Sequence, residues 1–176
     1  IVASTSSGLS NRLVGQVGEF LVCAELGRRG LIATPFSGNV PGFDVIATNS
    51  AMRSVPLQVK TANGGAWQFT ADKLLDIEFD PMTGVQVVKG VRDATFPDLI
   101  YIFVLLGRER GRDRFFLLPK KSFLEVAHAH YAGYLERHGG RRPQKPETMH
   151  MGLRAEDFEP YEDRWDVIES ALSAGA

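Results

Sequence analysis

The chain has 176 residues, 44% hydrophobic and 23% charged, with a formal net charge of −1. That length suits one domain with a sizeable core, and the near-neutral charge excludes a coat protein that binds nucleic acid through overall positive charge. The single cysteine, Cys23, excludes an intrachain disulfide and a multi-cysteine zinc site.

At the N-terminus, IVASTSSGLSNR lacks the basic, apolar and cleavage regions of a signal peptide. Residues 1–10 are therefore expected to be a flexible lead-in, and the protein to be cytoplasmic. Residues 11–29 predict a helix with Leu13, Val17, Phe20, Leu21 and Ala24 on its buried stripe, stopped by Gly30. Cys23, on the same helix, is expected to be a buried, inert thiol. LIATPF (31–36) reads as a strand, followed by the turn-rich SGNVPG. FDVIAT (43–48) and VPLQVKTA (55–62) predict a hairpin. AWQFT (66–70) is expected to continue the sheet, with Thr70 capping a short helix through Leu75. DLIYIFVLL (98–106) is apolar enough for a central strand covered on both faces, and far shorter than the roughly 20 residues that cross a bilayer. No membrane partner is expected. DRFFLLP (113–119) returns beside that strand, and Ser122 with Glu125, in capping-box spacing, predicts the start of a long helix.

Two basic stretches, GRERGRDR (107–114) and RHGGRRPQK (137–145), read as solvated loops. Residues 11–138 then form the main domain and 139–160 a basic, Gly/Pro-rich connector. Residues 161–176 form a last helix whose Trp165, Val167, Ile168 and Leu172 dock on the domain or at an interface. The whole is a mixed α/β domain with a partly antiparallel sheet, without the regular alternation of a dinucleotide-binding fold.

Several chemistries are missing. The sequence has no phosphate-binding P-loop and no G-x-G-x-x-G after a strand, so no nucleotide cofactor is expected. It has no G-x-S-x-G and no H-E-x-x-H. His128 and His130 fall about 200° apart around their predicted helix and cannot chelate one ion together.

Four polar residues remain. Gln58 and Lys60 share one face of their strand, with Leu57 and Val59 on the other. Across the hairpin Asp44 can face both, and Glu19 reaches the same end if the first helix packs over the hairpin. Each residue alone is unremarkable on a protein surface. Together, two carboxylates, the Gln58 amide oxygen and the Val59 carbonyl offer the hard oxygen ligands that Mg²⁺ takes. A metal-held water would attack a phosphodiester while Lys60 orients it or stabilises charge on phosphorus. A neutral Gln makes such a site weaker for metal than three carboxylates.

The stretches GQVGEFLVCAELGRRG, PGFDVIAT and LQVKTA resemble the PD-(D/E)xK nuclease superfamily, in particular small endonuclease-domain proteins and archaeal Holliday-junction resolvases. The resemblance runs from about Gly15 to Ala62, more loosely to Pro119. It implies a restriction-endonuclease-like α/β fold, a mixed β-sheet flanked by helices, with an extra C-terminal helix here. It implies metal ligands at Glu19, Asp44 and Gln58, to which the residue reading adds the Val59 carbonyl, a catalytic lysine at Lys60, Mg²⁺ or Mn²⁺ as cofactor, DNA as partner and a homodimer as one assembly. The family more often has Glu or Asp where this chain has Gln58. Ser37, Asn39 and Thr61 are candidate contacts to phosphate or metal-bound water, and Trp67 a candidate base-stacking ring. Two rival readings stand beside the DNA endonuclease: an inactive binding module of the same fold, and a toxin-type RNA nuclease.

Overall fold

The computed structural model describes residues 10–36, 42–92, 95–109 and 111–174. In chain order the elements are α1 (Asn11–Arg28), β1 (Ile32–Pro35), β2 (Val45–Thr48), β3 (Ser54–Ala62), β4 (Trp67–Thr70), β5 (Leu75–Phe79), β6 (Gln86–Val91), β7 (Ile100–Leu105), β8 (Arg114–Pro119), α2 (Lys120–Arg137), β9 (His150–Leu153) and α3 (Asp166–Ala174). Short 3₁₀ turns occupy Ala71–Lys73 and Ala155–Tyr161. The chain divides into two compact units. The first holds Ile1–Gly65, Asp98–Pro119 and Glu159–Ala176; the second holds Ala66–Pro97 and Lys120–Phe158.

The first unit is built on a five-stranded sheet in the order β1-β2-β3-β7-β8. β3 and β7 run parallel, and the other neighbours are antiparallel. A parallel pair needs a long crossover, and the chain makes it through Ala66–Pro97. Val45, Ala47, Leu57, Val59, Ile100, Ile102, Val104, Phe115 and Leu117 form one apolar sheet face. Val22 and Leu26 of α1 cover it, with Trp165, Ile168 and Leu172 at the C-terminus. The Arg29 guanidinium lies 4.2 Å from the Trp165 ring centroid, a cation–π contact. Segment 159–165 closes the outer edge of β8: Phe116 bridges to Glu162, Asp163 N–H donates to the Phe115 carbonyl at 2.9 Å, and Arg114 forks onto Glu162 at 2.6 and 2.7 Å.

The buried stripe of α1 is Val14, Gly18, Val22 and Leu26, one register away from the expected one. Leu13 is 42% and Phe20 55% exposed. Gly18 explains the shift: having no side chain, it carries no apolar signal, yet it packs directly against Thr61 of β3. A Cβ there would lie 2.9 Å from both Cβ and Cγ2 of Thr61.

In the second unit β4 pairs with β9 and β5 with β6, each pair antiparallel. The AWQFT segment thus does not continue the main sheet, and β9 lies inside the stretch read as a connector. Ala71–Lys73 is a single 3₁₀ turn, and the Thr70 side chain makes no cap hydrogen bond. α2 begins at Lys120, ahead of the Ser122 capping box. Its first amides need acceptors, and the Pro97 carbonyl takes Lys121 N–H at 2.9 Å; the Lys120 side chain adds a tie of its own, Nζ donating to the Thr95 carbonyl at 2.8 Å. Buried Gln86 ties this unit together. Its Nε2 donates to the carbonyls of Pro146 and Thr148, and its Oε1 accepts from Tyr131 OH at 2.7 Å. No described helix is long and apolar enough to cross a membrane.

Candidate active site at the edge of the third strand

β2 pairs with β3 from Val45↔Leu57 to Thr48↔Ser54 and no further. Asp44 is the residue at which β2 leaves the sheet; its N–H still donates to the Leu57 carbonyl at 2.8 Å. Beyond Leu57, β3 pairs only with β7 among the described residues, so its other edge has no strand neighbour among them. The Asp44 carboxylate fills that edge. Its Oδ2 accepts the Val59 N–H at 2.8 Å and also accepts from Gln58 Nε2. Gln58 is only 8% exposed, so its amide is a built part of this corner.

Glu19 joins from α1. Gly18 seats the helix against Thr61, and Glu19 follows directly. Burial raises the Glu19 pKa, the Asp44 carboxylate raises it further, and the Lys60 ammonium acts in the opposite direction. The three charges therefore share one electrostatic neighbourhood. Burial and Glu19 also raise the pKa of Cys23, which keeps the thiol protonated and unreactive at neutral pH.

Glu19, Asp44, Gln58, Val59 and Lys60 are thus gathered at one corner. The structure gives the remaining candidates other settings. The Thr61 hydroxyl is buried against Gly18 without a hydrogen-bond partner, so it packs the helix and does not face a phosphate. Trp67 is 3% exposed and meets Phe158 edge to face, which leaves no free ring face for a base. Ser37 and Asn39, like residues 1–9, lie outside the described residues.

Among the described residues, no three His, Cys, Asp or Glu side chains cluster in a way that could hold a metal. The donor set here is instead two carboxylates, one amide and backbone. Glu19, whose affinity for a proton is raised by burial and by the neighbouring Asp44 carboxylate, also favours a cation there, and all the oxygens are hard donors. The residues present fit Mg²⁺ or Mn²⁺.

Sequence comparison is silent: no protein-family model and no curated protein matches the chain. Comparison of structures is informative. A bacterial homing endonuclease, I-Ssp6803I, aligns with a TM-score of 0.52 at 12% identity, over 94% of this chain and 97% of that one. The fold is restriction-endonuclease-like. The resemblance read in the sequence implied this fold, and the five-stranded mixed sheet bears it out. Hjc, a Holliday junction resolvase from Archaeoglobus fulgidus, aligns with a TM-score of 0.43 at 14% identity, over 89% of this chain and 95% of that one.

Sequence reading missed a second polar assembly. Arg137, Arg142 and Arg154 line one pocket in the second unit. RHGGRRPQK signalled two of them as a basic loop, but nothing in the sequence tied Arg154 to that loop.

Proposed function

We propose that the chain is a metal-dependent endonuclease that hydrolyses phosphodiester bonds in DNA. One observation carries this reading: Glu19, Asp44, Gln58 and Lys60 meet where the pairing of β2 with β3 ends, on a fold shared with a homing endonuclease. In it Glu19, Asp44 and the oxygens of Gln58 and Val59 would hold a Mg²⁺ or Mn²⁺ ion. When bound, that ion supplies a Lewis acid and a water of lowered pKa.

The chain's own residues set the geometry. Asp44 is fixed by the Val59 N–H and the Gln58 amide, so its carboxylate is oriented before substrate arrives. Lys60, two residues along β3, offers an ammonium to the phosphate oxygen on which negative charge develops, a contact that strengthens as the transition state forms. Glu19, short of full hydration, gains from a cation more than an exposed carboxylate would. A duplex cut on both strands calls for two such corners, so the reading includes a homodimer, which sedimentation of the intact chain checks.

A second reading has its own support. Gln58 Nε2 donates to Asp44, a contact that closes the corner without a metal and suits a binding module that has lost the chemistry. Labelled linear, branched and single-stranded DNA, and RNA, incubated with Mg²⁺ or Mn²⁺, separate the two. Metal-dependent cutting of DNA supports the endonuclease, and cutting confined to RNA replaces it with a ribonuclease. Intact substrates throughout would leave the binding module.

A further inference from the structure

The second unit contains a pocket of about 410 Å³ whose wall includes Arg137, Arg142, Arg154, His130, His150 and Tyr134. The cations come from three places: the last turn of α2, the loop after it and the residue following β9. Among the described residues, none of the three arginines forms an ion pair with a carboxylate. The nearby Asp157 is already engaged, accepting the Arg154 backbone N–H at 2.7 Å and lying 2.9 Å from His130 Nδ1. Arg142 is held in position: its Nη1 donates to the His150 carbonyl, and its guanidinium lies 5.4 Å from the Tyr134 ring centroid.

Guanidinium groups gathered without acidic partners repel one another, and an anion relieves that repulsion. Their planar forks match the paired oxygens of a phosphate. A second hollow of about 300 Å³ shares Tyr134 and Arg142 and adds Lys145. Two adjoining basic hollows divided by one Arg–Tyr wall suit a ligand with repeated phosphates better than a single small anion.

We propose that this pocket binds consecutive backbone phosphates of a nucleic-acid strand. The choice of nucleic acid over free phosphate rests on the endonuclease reading; the phosphate chemistry does not.

The test uses the intact chain in chelator, so that binding is read without cleavage. Anisotropy of a fluorescein-labelled duplex, and of its single strand, is measured across a potassium chloride series. Arg137→Gln and Arg154→Gln should each weaken binding about tenfold and make the salt slope shallower by about one. Arg142→Gln also removes the bond to His150, so if it fails to fold, the other two variants decide.

Wild-type affinity and salt slope in both of those variants would overturn the pocket, whatever the cleavage assay reports. A parallel titration with inorganic phosphate, followed by thermal unfolding, separates the sources. Stabilisation by free phosphate that Arg154→Gln abolishes, with nucleic-acid affinity unchanged, would overturn the nucleic-acid assignment. Loss of binding in the variants, with or without cutting by the native chain, upholds the pocket.

Discussion

Ionised Glu19 is held partly out of water beside Asp44, and both raise its pKa while Lys60 lowers it. A carboxylate whose folded pKa lies above its unfolded value costs the fold stability above the folded pKa. That cost is relieved as pH falls through the folded pKa, and fully below the unfolded one. Glu19→Gln should therefore unfold at the same or a higher temperature than the native chain at neutral pH in chelator, while cleavage is lost. A melting temperature several degrees lower would mean that Glu19 is structural. Gln58→Glu should do the reverse, adding a third carboxylate to the corner. It should lower the melting temperature in chelator and lower the Mg²⁺ concentration needed for half-maximal cutting, both read by titration. This corner was legible in the sequence because Asp44, Gln58 and Lys60 lie on one short hairpin, where strand alternation fixes which side chains meet. Thr61 and Trp67 were misread because alternation says nothing about what packs over a strand.

At the scale of the element, α1 is positioned by an absent side chain. Gly18→Ala would drive a methyl group into Thr61, whose Cβ and Cγ2 would both lie 2.9 Å away, so rotating the threonine is no escape. The expected destabilisation is about 3 kcal/mol, measured by urea unfolding, and Thr61→Ala should rescue it only in part because the Thr61 Cβ contact remains. Near-native stability of Gly18→Ala would mean that α1 can lift off β3 freely. In the second unit, Gln86→Leu strands Tyr131 OH and two carbonyls and should cost about 3 kcal/mol. The strands of the main sheet were legible as apolar runs bounded by turns. β9 was not, since its partner β4 is remote in sequence and HMGL alternates over only four residues inside a Gly/Pro-rich stretch. The start of α2 was displaced because a remote acceptor, the Pro97 carbonyl, takes a first-turn amide ahead of the local cap the sequence advertised.

Across the whole molecule, each unit carries its own charged groups. In the first, Arg114 holds the Glu162 carboxyl below its usual pKa. That contribution is present above the unfolded pKa of Glu162 and lost as pH falls through its folded pKa. Replacing Glu162 with Gln should flatten the acid limb of the stability profile and leave neutral-pH cleavage intact. The basic pocket of the second unit was illegible in advance because a helix end, a loop and a strand end assemble it, each bland alone. Net charge near zero conceals such local imbalance. The central claim, that Lys60 serves a metal-dependent nuclease at the edge of β3, is tested most directly by single-turnover cleavage of labelled DNA with Mg²⁺ or Mn²⁺, comparing the native chain with Lys60→Ala. The account predicts cutting that requires the metal and falls about 10²- to 10³-fold in the variant, with DNA affinity nearly unchanged. Equal rates in the two proteins, or no cutting by the native chain with either metal, would contradict it.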